Sequence, residues 1–327
     1  MSKFKYAAGL WAIGGTADRF LTSGYVENPP GLIELTKKAA TVTDLKGIEV
    51  MNTQLDGVDV GEYKKLLDDL GLTAISVLAN TFGLRKYKLG ALTHTDPKIR
   101  QEAIDQGKKS LDLAKELGAD NINLWLGTDG YDYSFQINYE KHLDMLLEAI
   151  REIAEYAKKM DLKVALEYKL REPRNFMTIG AVGKALYMSM QAGDNVGIIL
   201  NFGHSLMARE NPAESVFWLA REKRLFGVHV NDAYGDWDDD LNTGVVHFHQ
   251  TLEFLYALDV TNYSGWVSLD IFPYRLDGLK AASLCIEYMK EMEEILERLD
   301  YEELKKAQLT LDAGNTQPII KRAIFGK

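Results

Sequence analysis

The sequence predicts an α/β fold: a closed (β/α)8 barrel over residues 1–298, followed by a C-terminal helical extension over 299–327. Three observations carry that expectation. Short apolar runs rich in β-branched residues alternate with longer stretches of helical periodicity from residue 4 to residue 298, the pattern of βαβ units in a parallel sheet. There are eight such runs, the strand number of a closed barrel. The chain has 327 residues, a size that α/β barrels reach as one domain; a doubly wound sheet is the runner-up.

The elements follow in order. YAAGLWAI (6–13) reads as the first strand, because the apolar run behind Lys3 and Lys5 lacks the small-x-small cleavage site of a signal peptide. GIEVM (47–51), AISVLAN (74–80), NINLWLG (121–127), KVALEYK (163–169), VGIILN (196–201), LFGVHVN (225–231) and WVSLDIF (266–272) supply the other seven. Between them lie amphipathic segments such as YEKHLDMLLEAIREIAEYAKKM (139–160), with an apolar residue every three or four positions. Gly71 and Gly118 stand where helix C-caps belong. The extension, with YEELKKAQLT and TQPIIKRAIFGK, reads as helical, either a subunit contact or a solvated tail.

Composition removes whole classes of function. At 46% hydrophobic and 26% charged residues the chain has the make-up of a globular protein with a large core. Its 38 basic and 48 acidic residues give a net charge of -10, which opposes binding to a phosphate backbone. No stretch approaches the roughly 18 consecutive apolar residues of a membrane span. The one cysteine, Cys285 in AASLCIEYM, cannot form an intramolecular disulfide and reads as a packed core thiol. A cytoplasmic location is expected.

The chemistry gathers where four late strands end, the end at which barrels of this kind place active sites. In VALEYK, period-two alternation puts Ala165, Glu167 and Lys169 on one face. A carboxylate and an ammonium on an apolar strand need partners, because unpaired burial costs several kcal/mol; a plain ion pair would serve as well as a metal. LNFGH brings Asn201 and His204 to the next strand end, GVHVND brings His229 and Asn231, and WVSLDIF brings Asp270. A lone strand histidine is ordinarily a hydrogen-bonded core residue. Four consecutive strands ending in oxygen or imidazole donors point instead to a cation.

HVNDAYGDWDDDL (229–241) sharpens this, with five aspartates in thirteen positions. Asp236, Asp238, Asp239 and Asp240 crowd one loop, where like charges repel unless a cation or solvent separates them. A solvated acidic loop is the ordinary reading of such a run, but this loop leaves the strand that carries His229. Carboxylates and imidazoles without thiolate suit Mn²⁺, Mg²⁺ or Co²⁺ better than structural zinc.

EYK (167–169), LNFGH (200–204), VHVND (228–232), DWDDDLNTGVVHF (236–248) and SLDIFPYR (268–275) together resemble the xylose isomerase-like TIM barrels, and most of all their metal-dependent L-rhamnose isomerase branch. The resemblance implies a metal-dependent aldose-ketose isomerase of free sugars that shifts hydride between C1 and C2 without an organic cofactor. It implies two divalent ions per subunit, Mn²⁺ foremost, with Mg²⁺, Co²⁺ and Zn²⁺ as alternatives. One ion would be held by Glu167, Asn201, His229 and Asp270; the other by His204, Asp238 and Asp240, with position 201 bridging. Lys169 would bind a substrate oxygen, Glu167 and Asp270 would join it as catalytic residues, and Trp125, with Trp11 and Phe82, would form an apolar wall for the sugar. A homo-oligomer, a tetramer by family likeness, is implied too. One departure is plain: Asn201 stands where the family has an acid, and a neutral amide bridges two cations poorly.

Other readings remain. A ketose 3-epimerase would transfer a proton between two carboxylates beside one metal, and solvent isotope entry distinguishes it. A DNA repair endonuclease would need more histidine ligands than His94, His142, His247 and His249 supply from loops and helical patterns. A sugar-binding protein without chemistry would bind sugar but not turn it over.

Overall fold

The computed structural model describes residues 2–17, 20–173 and 175–326. Asp18 and Arg19 lie outside the described residues. Strands β1 (Lys5–Gly9), β2 (Leu45–Met51), β3 (Thr73–Leu78), β4 (Asn121–Trp125), β5 (Lys163–Glu167), β6 (Val196–Asn201), β7 (Leu225–Val230) and β8 (Trp266–Leu269) form a closed parallel barrel. Closure is seen at β1, which pairs with β2 on one side and with β8 on the other, Lys5 opposite Trp266. The chain is therefore a (β/α)8 TIM barrel, and each of the eight apolar runs contributes its strand.

The first run departs from expectation at its end. Only Lys5–Gly9 is strand, and Trp11–Gly14 is a short helical turn. Gly9 permits this, since a Cβ there would meet the Trp11 ring at 2.1 Å. The indole therefore folds back over the strand end.

Helices Leu32–Ala39, Val60–Leu70, Pro97–Leu117, Tyr139–Lys158, Val182–Ala192, Pro212–Arg221, Phe248–Val260 and Gly278–Arg298 surround the strands. Gly71 and Gly118 end two of them in the left-handed region, at φ 67° and 80°, where a side chain would be strained. On helix Tyr139–Lys158 the buried residues Leu146, Ile150, Ile153 and Ala157 fall at three- and four-residue spacing. Burial of each large aliphatic side chain contributes about 1.5–3 kcal/mol, so this inward stripe holds the helix to the barrel. Cys285 is buried on the last outer helix, and burial pushes its thiol up to about 11; it is a core side chain.

After Arg298 the chain continues as helices Tyr301–Gln308 and Ala313–Phe325. They fold back through Tyr301 Oη, which donates to Asp259 at 2.6 Å, and Arg298 Nε, which donates to the Ala323 carbonyl at 3.0 Å. Among the described residues no helix is long and apolar enough to cross a membrane.

Candidate active site

Alternation along the strands decides which polar groups enter the barrel. The register sets Trp125 beside Glu167, Asn201 beside His229, and His229 beside Ser268. Asp270 follows directly after β8, its backbone N–H bonded to the Val230 carbonyl. Glu167, Asn201, His204, His229, Asp238 and Asp270 are all less than 9% exposed. So many buried polar groups must satisfy one another.

The deeper cluster joins residues from five neighbouring strands, β4 to β8. His229 Nδ1 lies 3.2 Å from Glu167 Oε1 and 3.6 Å from Asp270 Oδ2. Asn201 Nδ2 donates to Glu167 Oε1 at 3.1 Å and to Asp270 Oδ2 at 2.8 Å, while Asn123 Nδ2 donates to Glu167 Oε2 at 2.7 Å. Burial alone would raise the Glu167 carboxyl, but His229 and these donors hold it down at about 2. Burial would lower the His229 imidazole, and the charges of Glu49 and Glu167 instead hold it well above its usual range.

Asn201 departs from its expected role as a bridging ligand. Its Oδ1 accepts the backbone N–H of His204 at 3.1 Å and caps the short helix Phe202–Met207, so its amide nitrogen faces the carboxylates. The opposite orientation would set an NH2 against the His204 N–H and an oxygen against two carboxylates. An acid could cap and ligate at once; an amide satisfies one side only.

The second cluster sits nearer the mouth. His204 Nδ1 donates to the Tyr168 carbonyl at 2.9 Å, which turns Nε2 to Asp238 Oδ2 at 3.0 Å. Lys169 Nζ bonds Asp238 Oδ2 at 2.9 Å and Glu172 Oε1 at 2.5 Å. Burial opposes the ammonium, yet Asp238 and Glu172 raise its pKa above the usual lysine range. Gly203 lets the acidic loop close in, because a Cβ there would lie 2.7 Å from Asn231 Oδ1 and 2.9 Å from Asp238 Oδ1.

The five aspartates divide their work. Asp238 and Asp240 turn into the site, Asp240 held by Asn231 Nδ2 at 3.3 Å. Asp232 accepts the backbone N–H groups of Val246 and His247 and pairs with His247 Nδ1 at 2.9 Å. Asp239 accepts the Tyr234 N–H, and Asp236 is exposed. The run is therefore part site, part loop brace and part solvated surface.

The residues fit a divalent cation. Glu167, His204 and Asp270 offer ligand atoms all within 4.8 Å of one another. Asp238 Oδ1 is buried with no hydrogen-bond partner. Burial, and then the charges of Asp238 and Asp270, push Asp240 well above the carboxylate range. Buried carboxylates that repel one another need a counter-charge.

Above them opens a cavity of about 870 Å³, lined by Trp11, Phe82, Trp125 and Trp237 with the charged groups on its floor. Trp125 meets Phe82 edge-on at 4.5 Å, and its indole N–H has no protein partner. Trp11 Nε1 donates to Asp270 Oδ1 at 2.7 Å. All three expected wall residues thus share one cavity, and Trp11 also orients a carboxylate. His94, His142, His247 and His249 take no part; His94, for example, accepts the Asp96 N–H.

Sequence reasoning missed Glu49, Asn123, Glu172 and Trp237. Glu49 is 1% exposed on β2 and accepts from His229 Nε2 at 3.0 Å. A buried acid inside the apolar run GIEVM was the available signal, but its partner lies 180 positions away.

Comparison with known proteins adds three findings. The family model described as "Xylose isomerase-like TIM barrel" matches residues 38–292. A probable sugar isomerase of Mesorhizobium japonicum is 26% identical over 257 residues, 75% of this chain and 58% of its own length. A xylose isomerase of Thermus thermophilus is 30% identical over 211 residues, 63% of this chain and 54% of its own. The chain thus spans a little over half of these relatives. Among solved structures, an L-ribulose 3-epimerase superposes with a TM-score of 0.71 at 15% identity, over 94% of this chain and 98% of that one, a likeness of fold.

Proposed function

This chain belongs to the xylose isomerase-like TIM barrel family, and on that footing we propose that it is a divalent-metal-dependent enzyme that isomerises a free monosaccharide between aldose and ketose. One observation carries the reading: a buried ammonium, Lys169, beside the donor set Glu167, His204, Asp238, Asp240 and Asp270. An ammonium has three donors, and Asp238 and Glu172 take two. The third is left for a substrate oxygen, with the Trp125 and Trp237 rings 5.5 and 5.8 Å from Nζ.

Glu167, His204, His229, Asp238, Asp240 and Asp270 would hold the metal, Mn²⁺ foremost, which supplies Lewis-acid polarisation of sugar oxygens when bound. Lys169 stabilises the negative charge that grows on a substrate oxygen as hydride moves between neighbouring carbons. The aromatic wall packs the apolar face of the sugar and keeps water from the reacting carbons. L-Rhamnose and its stereoisomers are the leading substrates. A homo-oligomer fits the exposure of Leu309, Leu311 and Phe325 in the C-terminal extension.

A second reading, a ketose 3-epimerase, is supported at least as well by the comparisons, since an L-ribulose 3-epimerase is a structural neighbour. It also has a local basis: Glu167 and Asp270 converge on one Asn201 nitrogen, the paired carboxylates that proton transfer needs. Supplying Mn²⁺ and a sugar panel in deuterated water decides between them. Aldose-ketose conversion without deuterium at the reacting carbon supports the first reading. Deuterium at C3 of a ketose supports the second, and no turnover of any sugar refutes both.

A further inference from the structure

Among the described residues, the barrel interior holds an acid with no place among the candidate ligands, Glu49. It lies on β2 and is 1% exposed. A lone carboxylate at such a depth is costly unless donors reach it. Two do: His229 Nε2 at 3.0 Å and Ser268 Oγ at 2.5 Å, both to Oε1. The other oxygen, Oε2, has no protein partner. Glu49, His229 and Ser268 also line a cavity of about 480 Å³ that enters from the strand starts at Lys5, Lys163 and Trp266, so the pair is approached from the barrel end opposite the candidate active site.

The His229 ring has two nitrogens and therefore two ways to face the site. Bonded to Glu49, Nε2 keeps its proton, and Nδ1 turns to Glu167 Oε1 and Asp270 Oδ2. When the ring is neutral, its lone pair then points at the carboxylates with which it would share a cation. Without Glu49 no acceptor holds the proton on Nε2, and Glu167 and Asp270 draw it to Nδ1 instead. A carboxylate behind a ligating imidazole both orients it and makes it more basic.

We propose that Glu49 is the positioning residue of the metal centre, acting through His229 to set which imidazole nitrogen faces the cation. The inference rests on the metal-dependent reading above, and its test is read in binding rather than in turnover.

Mn²⁺ is titrated into metal-free protein, followed by the loss of free-ion electron paramagnetic resonance signal, for wild type, Glu49→Ala, Glu49→Gln and Ser268→Ala. Loss of such a partner lowers metal affinity by about 10–100-fold, the drop expected of Glu49→Ala. Glu49→Gln keeps an acceptor for Nε2–H and should recover most of it, while Ser268→Ala should stay within about threefold of wild type. Thermal unfolding of the metal-free variants separates the alternatives, because a merely structural acid would lower the melting temperature and leave the Mn²⁺ dissociation constant of the folded protein unmoved. Unchanged Mn²⁺ affinity in folded Glu49→Ala overturns the proposal. So does equal loss in Glu49→Gln and Glu49→Ala, and so does a wild type that binds no Mn²⁺. If wild type binds Mn²⁺, Glu49→Ala weakens it and Glu49→Gln recovers it, the proposal stands even where no sugar is converted; that outcome sinks only the two sugar-converting readings.

Discussion

Asn201 and Asp270 are joined by a hydrogen bond of 2.8 Å in which the amide nitrogen is the donor. The same nitrogen reaches Glu167 at 3.1 Å, so a neutral side chain ties together two acids that would otherwise repel. Asn201→Asp should reverse the balance. The metal-free variant loses a donor and gains a charge, and its melting temperature should fall. The new carboxylate can cap His204 and ligate at once, so Mn²⁺ affinity should rise by about tenfold or more, about 1.4 kcal/mol. Calorimetric titration checks the second outcome, and an unchanged affinity would remove position 201 from the metal centre.

Lys169 is the next test. Its ammonium neutralises Asp238 and Glu172 in a buried setting. Replacing it with methionine leaves Asp238 facing His204 alone and removes the donor offered to the substrate. Turnover should drop by about 10²–10³-fold, the scale of losing one oriented donor, and stability by about 3–5 kcal/mol. Urea unfolding and initial rates at saturating Mn²⁺ measure the two separately. Lys169→Arg should restore stability more than turnover, because a planar fork does not reproduce a compact ammonium.

The aromatic wall makes a prediction about binding. Trp125 and Phe82 meet edge-on at 4.5 Å, an arrangement that contributes about 0.5–1.5 kcal/mol beyond area burial. Trp125→Ala should raise KM by at least tenfold with a smaller change in kcat. A double-mutant cycle with Phe82→Ala should recover that coupling energy in stability. A KM within twofold of wild type would mean that the sugar packs elsewhere.

Acid should weaken the fold through His142. Its Nε2–H donates to Thr178 Oγ1 at 2.7 Å, because the Thr178 hydroxyl is itself spent on the Asp129 carbonyl at 3.0 Å. Burial lowers the pKa of the His142 imidazole, with the Asp129 charge opposing. The folded value therefore lies under the unfolded value of about 6.5. Between the two, the unfolded chain binds more protons, so this contribution is full above about pH 6.5 and is lost as pH falls towards the folded value. His142→Gln should flatten that part of the profile. Urea midpoints of wild type and variant from pH 7.5 to 5.0 check it; a pH-independent difference would refute it.

Much of the site was legible because its signals are local. Glu167 and Lys169 stand out as charges in the apolar run KVALEYK, the strand itself ending at Glu167, and His229 and Asp270 as polar residues at strand ends. Period-two alternation then says which face each shares. What stayed hidden depends on partners far away in the chain. Glu49 sits inside GIEVM as one acid in a strand, and only β7 and β8 give it meaning. Glu172 and Trp237 lie in loops, where no periodicity tells inside from outside, and the same holds for the division of the aspartates between site, loop brace and surface.

By itself, the amino-acid order determined the (β/α)8 barrel, its eight strands, and the set of oxygen and imidazole donors carried at their ends. Hydrophobic period and strand length are properties of short segments, and they need no partner to be read. The closed barrel decided the rest: that Asn201 turns its nitrogen rather than its oxygen to the acids, that Trp11 leaves the first strand to bond Asp270, and that Glu49 stands behind His229. Each of those outcomes is a choice of hydrogen-bond partner inside a low-dielectric interior, made between groups that meet only when β1, β2 and β5 to β8 are brought into one closed sheet.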